Sequence, residues 1–451
     1  MMVEEILAAV KDAGVVGAGG AGFPTHVKIK AQAELVIANG SECEPLLRTN
    51  EQLMIHSAEG IINGLKLVMT ATGAKEGVIG LKEKHTEAVR ILQKAVQDSG
   101  EGNIRLFLLS DMYPAGDEQV LVYEVTGRIV PEGGIPLQVG VVVSNVETLL
   151  NVAEAVKGHG VIEKYVTVTG AVNCPVTLKV PVGTFVHEMI AAAGGTSVAD
   201  YAIIDGGPMM GKIVAEGAAV TKLTGGLIVL PLTHTLILQK TTSIKIMLNR
   251  AKAICCSCRA CTESCPRHLL GHSLEPHRIM QVVGSGTKSL AVLTQVLLCS
   301  QCGVCDTFGC IMGLSPRRIN QEIKEILSKV GLKKQYNAQP VRARNKREYH
   351  LVPTSRIVSR LGLGAYNVPA PLDTNKVMTP GEVAILLSQH IGAPSVPVVQ
   401  TGEWVSKGQL IAAIPEEAVV GANIHASIEG SVDIRDNMIV IRATGLGGRD
   451  R

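Results

Sequence analysis

The sequence predicts a multidomain α/β protein, and three observations carry that prediction. Its 451 residues are about three times the usual domain size, so several separately packed units are expected. The first 155 residues or so alternate helical and strand periods, and from Tyr165 the texture changes to short β runs. Nine of the eleven cysteines fall within the 56 residues from 255 to 310.

In the first unit, residues 3 to 13 are helical in period, Glu34 to Ala38 reads as a buried strand, and Glu51 to Thr70 reads as a helix. A strand at Gly77 to Leu81, a helix from Lys82 to Gln97 and a strand at Ile104 to Leu109 follow. A strand at Val141 to Val143 and a helix from Val146 to Val156 close the unit. The second unit reads as strands at Tyr165 to Thr169 and Val176 to Val180, a helix from Thr184 to Ala193, and strands near Tyr201 to Asp205 and Leu227 to Leu230. Helix-forming stretches lie between and after the two cysteine runs. Residues 335 to 375, with Pro340, Pro353, Pro369 and Pro371, read as an extended linker. A last β unit spans about Pro380 to Ala443, with turns at Gly402, Gly408, Gly421 and Gly430.

Composition narrows the function. With 4 Phe, 7 Tyr and 1 Trp there is little from which to build a stacking platform, which argues against a nucleic-acid partner. The acidic start Met1 to Leu7 lacks the pattern of a signal peptide, and the apolar run Gly225 to Leu238 is short and holds Pro231 and His234. Neither export nor a membrane span is expected. Clustered rather than dispersed cysteines point to a metal site in a reducing compartment, not to a disulfide scaffold. The net charge of +3 hides a segment, Pro316 to His350, that carries +7 and leaves −4 elsewhere. That segment, with Arg342, Arg344, Lys346 and Arg347, reads as a solvated helix and linker or as a docking patch for an acidic partner.

The run Cys255-x2-Cys258-x2-Cys261-x3-Cys265-Pro266 has bacterial ferredoxin spacing, in which three close thiolates hold one cubane and the fourth reaches a second. The run Cys299-x2-Cys302-x2-Cys305-x4-Cys310 repeats it, with one extra residue before Cys310 and Ile311 where proline often sits. Eight ligands suffice for two [4Fe-4S] clusters, paired as Cys255, Cys258, Cys261 with Cys310, and Cys299, Cys302, Cys305 with Cys265. Two-residue steps also suit tetrahedral zinc, but three cysteines in successive steps, twice over, favour iron–sulfur. Cys256, Cys43 and Cys174 read as spare thiols. His268, His272 and His277 follow the first run, and a structural role outweighs a ligand role for each.

Gly17 to Thr25 contains G-x-G-x-x-G, yet it follows a helix and runs into Pro24, so an ordinary dinucleotide fingerprint does not fit. Glycines still let backbone N–H groups approach a phosphate or a flat ring, and Lys28 adds charge nearby. Asn39 to Pro45, at the carboxyl end of a predicted strand, supplies polar and acidic groups where α/β sheets hold ligands.

Gly17 to Thr25, Asn39 to Pro45, Tyr113 to Gln119, Gly134 to Leu137 and Val141 to Leu149, in that order, resemble the motifs of the flavin-binding subunits of respiratory complex I and the Rnf C subunits. Val166 to Val172 is similar to the β-grasp (SLBB) domain of that family, and Gly402 to Gly430 resembles the barrel-sandwich module of Rnf C subunits. The sandwich comes last here rather than first, an order that resembles the cobalamin reductases of the propanediol-utilisation microcompartment. The resemblance implies a Rossmann-like FMN/NADH domain over 1–158, a β-grasp domain over 159–245 and a helical double-cluster ferredoxin domain over 246–334. A basic linker over 335–379 and a barrel sandwich over 380–451 would follow.

By motif match it implies a flavin site of Gly17, Gly19, Gly20, Lys28, Asn39, Ser41, Glu42, Tyr113, Gly116, Asp117, Glu118, Asn145 and Thr148, with Phe23 and Glu44 nearer NADH. Ala18 stands where complex I carries a basic residue, and Asp117-Glu118 where it carries two glutamates. No lysine sits where a biotin or lipoyl group would be attached. The implied activity is electron transfer from NADH through FMN and two clusters to cob(II)alamin, recycling the cofactor of a corrinoid-dependent diol dehydratase. Implied partners are cobalamin or a cobalamin-handling adenosyltransferase, and shell or lumen proteins of a cytoplasmic bacterial microcompartment. The stretch of Val3, Ile6, Leu7 and Val10 reads as packing on its own domain or as a shell-docking tag. Two rivals are an Rnf-like subunit serving a membrane complex and a non-enzymatic electron carrier or assembly module.

Overall fold

The computed structural model describes residues 1–333 and 335–443; Lys334, counted in the basic segment, and residues 444–451 lie outside the described residues. The first unit is a four-stranded parallel sheet of β1 (Leu35–Asn39), β2 (Glu76–Lys82), β3 (Ile104–Leu109) and β5 (Val141–Asn145), ordered β3-β2-β1-β5. β1, β2 and β5 are apolar runs buried on both faces, as covered parallel strands are, while the edge strand β3 leaves Arg105 and Leu108 exposed. One face packs on helices Val3–Asp12, Ala58–Thr72, Thr86–Asp98 and Val146–Ala155. Ile6 and Val10 are wholly buried in that layer, so this face of the first helix is not free to act as a tag.

Two local expectations are corrected and one element is added. The helix read over Glu51 to Thr70 is two, Thr49–His56 and Ala58–Thr72, because Ser57 leaves helical space at φ −137°, ψ 28°. The helix read from Lys82 starts at Thr86, since β2 runs through Lys82 and buries its amine against Asp111 (3.0 Å) and Thr354 (2.8 Å). The motif Tyr113 to Gln119 holds a short strand, β4 (Met112–Tyr113), and opens helix Glu118–Thr126, capped by Asp117.

The second unit is a five-stranded sheet, β7-β6-β10-β8-β9, built from β6 (Glu163–Gly170), β7 (Val176–Pro181), β8 (Tyr201–Asp205), β9 (Lys212–Val214) and β10 (Gly226–Pro231), with helix Val186–Ala192 on one face. A helical unit follows, in which Ile244–Ile254, Pro276–Ser285 and Pro316–Lys329 surround the cysteine loops.

Residues 335 to 375 are not a free linker. Their strand β11 (Val352–Pro353) pairs antiparallel with β4, and helix Thr354–Arg360 buries Ile357 completely. Arg347 is also buried, ion-paired with Glu124 and Glu348 and stacked 4.7 Å from the Tyr123 ring, so a solvated reading fails for this member of the basic segment. Arg342, Arg344 and Lys346 remain exposed. The last unit packs two antiparallel sheets. One is β12-β18-β17-β14, from β12 (Glu382–Leu386), β14 (Trp404–Val405), β17 (Gly430–Arg435) and β18 (Met438–Arg442). The other is β13-β15-β16, from β13 (Val396–Pro397), β15 (Leu410–Ala413) and β16 (Ile424–His425).

The sandwich is seated on the other units through a buried amine. Lys222 of the β-grasp unit donates to the Gly14 carbonyl (2.8 Å) of the first unit and the Asn423 carbonyl (2.9 Å) of the sandwich. Burial pushes this amine down to about 7. Between about pH 7 and 10 the unfolded chain therefore holds a proton that the folded chain has released, and stability rises with pH across that window. Thermal melts should show Lys222→Met less stable than wild type, by about 1–3 kcal/mol from two carbonyls left without a donor. The gap should widen from pH 7 to 9; a constant gap would mean that Lys222 does not titrate there.

Candidate functional site

A cavity of about 710 Å³ opens at the carboxyl ends of β1 and β5, where a parallel sheet presents its ligand site. Asn39 and Asn145 stand opposite each other in register at those ends. The Asn145 amide donates toward the Asn39 carbonyl (3.4 Å) and Asn50 Oδ1 (3.3 Å), while its Oδ1 accepts from the Glu147 N–H (2.9 Å) and caps helix Val146–Ala155. The loop Gly17 to Gly22 crosses in front of them. A Cβ at Gly19 would lie 2.5 Å from Asn145 Nδ2, so glycine alone lets the loop sit this close. Thr148 Oγ1 accepts from the Ala18 N–H at 2.9 Å and ties the loop down. At the far wall a Cβ on Gly116 would meet Ser41 Oγ at 2.2 Å.

Of the residues expected from the motifs, Gly17, Gly19, Gly20, Phe23, Lys28, Asn39, Gly116, Asp117, Glu118, Asn145 and Thr148 all line this cavity. Lys28 and Glu118 are ion-paired at 2.7 Å on its rim. Four others stand behind it. Ser41 donates to Asn39 Oδ1 at 2.5 Å and backs Gly116. Glu42 accepts from the Asn50 and Glu51 N–H groups at the start of helix Thr49–His56, and burial raises its carboxyl. Glu44 accepts from Met209 N (2.8 Å) and Met210 N (2.9 Å) in the turn after β8, and burial raises it too, against Lys240 and Arg317. The Tyr113 phenol is buried, pushed well above its usual range, and donates to the Cys302 carbonyl at 2.7 Å. These four bind elements together rather than face the cavity.

Three lining residues carry no sequence signal of their own. Arg267 and Ser300 come from the cysteine unit and Ile391 from the sandwich. Arg267 Nη2 contacts Asp117 Oδ2 at 2.9 Å, and each side chain of this pair is only about a tenth exposed. Ile391 arrives because its N–H donates to the Gly22 carbonyl at 3.2 Å.

The cysteines form two sets. Cys255, Cys258, Cys261 and Cys310 line one recess, and Cys310, Cys258 and Cys255 each add repulsion to the Cys261 thiolate. Cys265 lies with Cys299, Cys302 and Cys305, which repel one another in the same way. Left-handed backbone at Ser257, Arg259 and Gln301 coils the two-residue steps so that successive cysteines turn to one side. Among the described residues, no three His, Cys, Asp or Glu side chains converge on a single metal ion. Burial pushes the Cys261 and Cys265 thiols up to about 12, Cys265 against N–H donation from His268 and Arg267. Such thiols ionise only when a cationic centre takes their protons' place. Cys256 is exposed at the edge of the first recess, outside the two-residue spacing, and Cys174 is exposed; Cys43 lies behind the cavity, accepting from the Gly116 N–H. Of the histidines, His277 bonds Thr262 Oγ1 (2.7 Å) and His272 the Val130 carbonyl (2.9 Å), both structural contacts.

The donor sets fit the groups that family comparison assigns. The chain matches the family models of the Nuo51 FMN-binding domain (residues 10–154), the SLBB domain (165–212), the 4Fe-4S dicluster domain (254–315) and the RnfC barrel sandwich hybrid domain (369–446). It is 43% identical to cobalamin reductase PduS of Citrobacter freundii over 436 residues, and 44% identical to that of Salmonella typhimurium over 437. Each alignment covers 96% of this chain and 95% of the relative. The C component of the Na+-translocating ferredoxin:NAD+ oxidoreductase complex of Acetobacterium woodii is 36% identical over 275 residues, 60% of this chain and 59% of that one. Among solved structures, an air-oxidized NAD+-reducing [NiFe]-hydrogenase shares the fold at TM-score 0.50 and 21% identity, over 80% of this chain and 66% of that chain.

The wall at Gly116 offers a direct check. Gly116→Ala forces Ser41 and the strand end to shift, a crowding cost of about 1–3 kcal/mol, and should weaken FMN binding by about tenfold in titrations of flavin-free protein. Unchanged affinity would show that this wall is not part of the flavin site.

Proposed function

The chain belongs to the family of the PduS cobalamin reductases, and from that membership we propose that it transfers electrons from NADH to cob(II)alamin, giving NAD+, a proton and two cob(I)alamin per NADH. One observation carries the reading: the cavity walled by the glycine loop is also walled by Arg267, two residues after Cys265, and Ser300, next to Cys299. When bound, FMN supplies the conversion of a hydride into single electrons and the clusters supply a one-electron path.

The chain's own residues do the rest. The glycine loop, Asn39, Gly116 and Asn145 hold the ligand by backbone and amide groups, without a general acid or base. Phe23, about a third exposed on the rim, is the face we assign to the incoming nicotinamide. Cys265, Cys302 and Cys305 are buried and Cys299 half-buried, and Arg267 and Ser300, near Cys265 and Cys299 in sequence, reach the cavity; in the other set Cys261 is buried, Cys255 and Cys310 half-buried and Cys258 exposed. We assign the buried set to receive electrons and the outer set to deliver them. Ile254, Ile311 and Met312, all exposed, give the delivery surface the apolar character that a corrin face or its carrier protein would meet. N–H donation to Cys310 Sγ from Leu314 (3.3 Å) and contacts to Cys299 Sγ from Gln301 and Asn320 set the two potentials separately. The setting we propose is a propanediol-utilisation microcompartment, with a cobalamin-handling enzyme as partner.

The deciding experiment is anaerobic reconstitution with iron, sulfide and FMN, followed by stopped-flow mixing with NADH and cob(II)alamin. Fast flavin bleaching with formation of cob(I)alamin is expected; fast reduction of dyes alone would reject cobalamin as acceptor. Cys310→Ser should lose about half of the roughly eight irons. It should also cut cobalamin reduction by at least tenfold while NADH still bleaches the flavin. Cys256→Ser should leave iron content and rate unchanged. Undiminished cobalamin reduction in the Cys310 variant would overturn the assigned order.

A further inference from the structure

We infer that Arg267 is a positioning residue for the redox ring of the flavin, donating from the cysteine unit to the atoms that gain negative charge when the ring is reduced. The inference rests on the flavin reading of the cavity and adds a residue that no motif marks.

Arg267 Nε and Nη1 are buried with no partner among the described residues, although the residue lines the cavity. A buried N–H left unpaired costs about 1–3 kcal/mol, and more on a charged group, so two of them on one guanidinium require an acceptor. The remaining donor fixes the aim. Nη2 is held at 2.9 Å by Asp117 Oδ2, and Asp117 is itself held by the Gln119 N–H (3.1 Å) and Val120 N–H (3.2 Å) through Oδ1. The guanidinium is thus held at one nitrogen, which fixes its charge at this wall of the cavity and leaves its other two nitrogens for a ligand.

Which part of the ligand it meets follows from what else stands at that end. Arg267 lies two residues after Cys265, and Ser300 follows Cys299 directly. This is the end of the cavity nearest the buried cysteine set. Electron transfer weakens steeply with distance, so the ring belongs there and the ribityl phosphate belongs elsewhere. A fixed cation at that end stabilises the reduced ring more than the oxidised one. A phosphate, charged alike in both states, would be held equally in either.

The test uses full-length protein reconstituted with iron and sulfide and freed of flavin, titrated with oxidised and with reduced FMN. Arg267→Gln should weaken reduced FMN about tenfold more than oxidised FMN. By redox titration this is a fall of about 30 mV in the two-electron midpoint of the bound flavin. Arg267→Lys, which keeps the charge, should recover part of that shift with iron content at the wild-type level, and it decides the matter if the glutamine variant loses iron. Equal losses for both oxidation states would mean a phosphate contact and overturn the ring assignment. Unchanged affinities and midpoint would overturn the inference altogether. Wild-type protein that binds no FMN would instead remove the flavin reading itself, and the inference with it.

Discussion

The structure depends on one buried core that belongs to no single unit. Leu46, Leu47 and Tyr113 of the flavin-type unit, Ile204, Ile228 and Leu230 of the β-grasp unit, Cys302 and Val304 of the cysteine unit, and Val352, Ile357 and Leu361 of the crossing segment pack together. At its centre the Tyr113 phenol donates to the Cys302 carbonyl, a bond that water cannot replace at that depth. Electron transfer between two separately folded units is only as reliable as the spacing between them. Here that spacing is set by apolar packing, which is stiff, and not by a hinge.

Around this core, charged side chains act as clamps between units. Glu44 holds the turn after β8, Asp117 holds Arg267, and Lys222 ties the first unit and the sandwich to the β-grasp sheet. Buried charges of this kind contribute little net stability once desolvation is subtracted. Their value lies in excluding other arrangements, because a slipped interface would leave each of them unpaired. The segment 335–375 works in the same manner: Arg347 and β11 fix its course, so the chain can leave the cysteine unit and still return across the flavin-type unit to the sandwich.

Much of this was legible in the sequence, and the boundary of legibility has a physical cause. The cysteine sets and the glycine loop depend on local spacing, so their residues could be named before the fold was known. Ser41, Glu42, Glu44 and Tyr113 sit inside equally specific motifs, yet the structure places them behind the cavity wall. Motif position says that a residue is needed near a site, but not whether it faces the ligand or holds the residue that does. Arg267, Ser300 and Ile391 were out of reach for the opposite reason. They enter the cavity from far downstream of the last motif in the first unit, Arg267 and Ser300 across an interface whose packing no short motif encodes. Helix boundaries failed where tertiary burial overrode local period, as at Lys82.

The placement of the sandwich also bears on the direction of electron flow. Its loop at Ile391 closes against the Gly22 carbonyl, where a left-handed backbone (φ +74°) and Cβ approaches of 3.1 Å to Gln389 and His390 favour glycine. The cavity is therefore walled on one side by Ile391 of the sandwich and on another by Arg267 and Ser300 of the cysteine unit, leaving Phe23 and the Lys28–Glu118 rim toward solvent. That rim is the entry assigned above to the two-electron donor. The outer cysteine set, with Cys258 exposed, is reached from solvent elsewhere in the cysteine unit. Entry and exit are thus kept apart by the fold itself. On the electron path proposed above, donor and acceptor then meet the chain at different surfaces, while the conversion of electron pairs into single electrons belongs to the flavin.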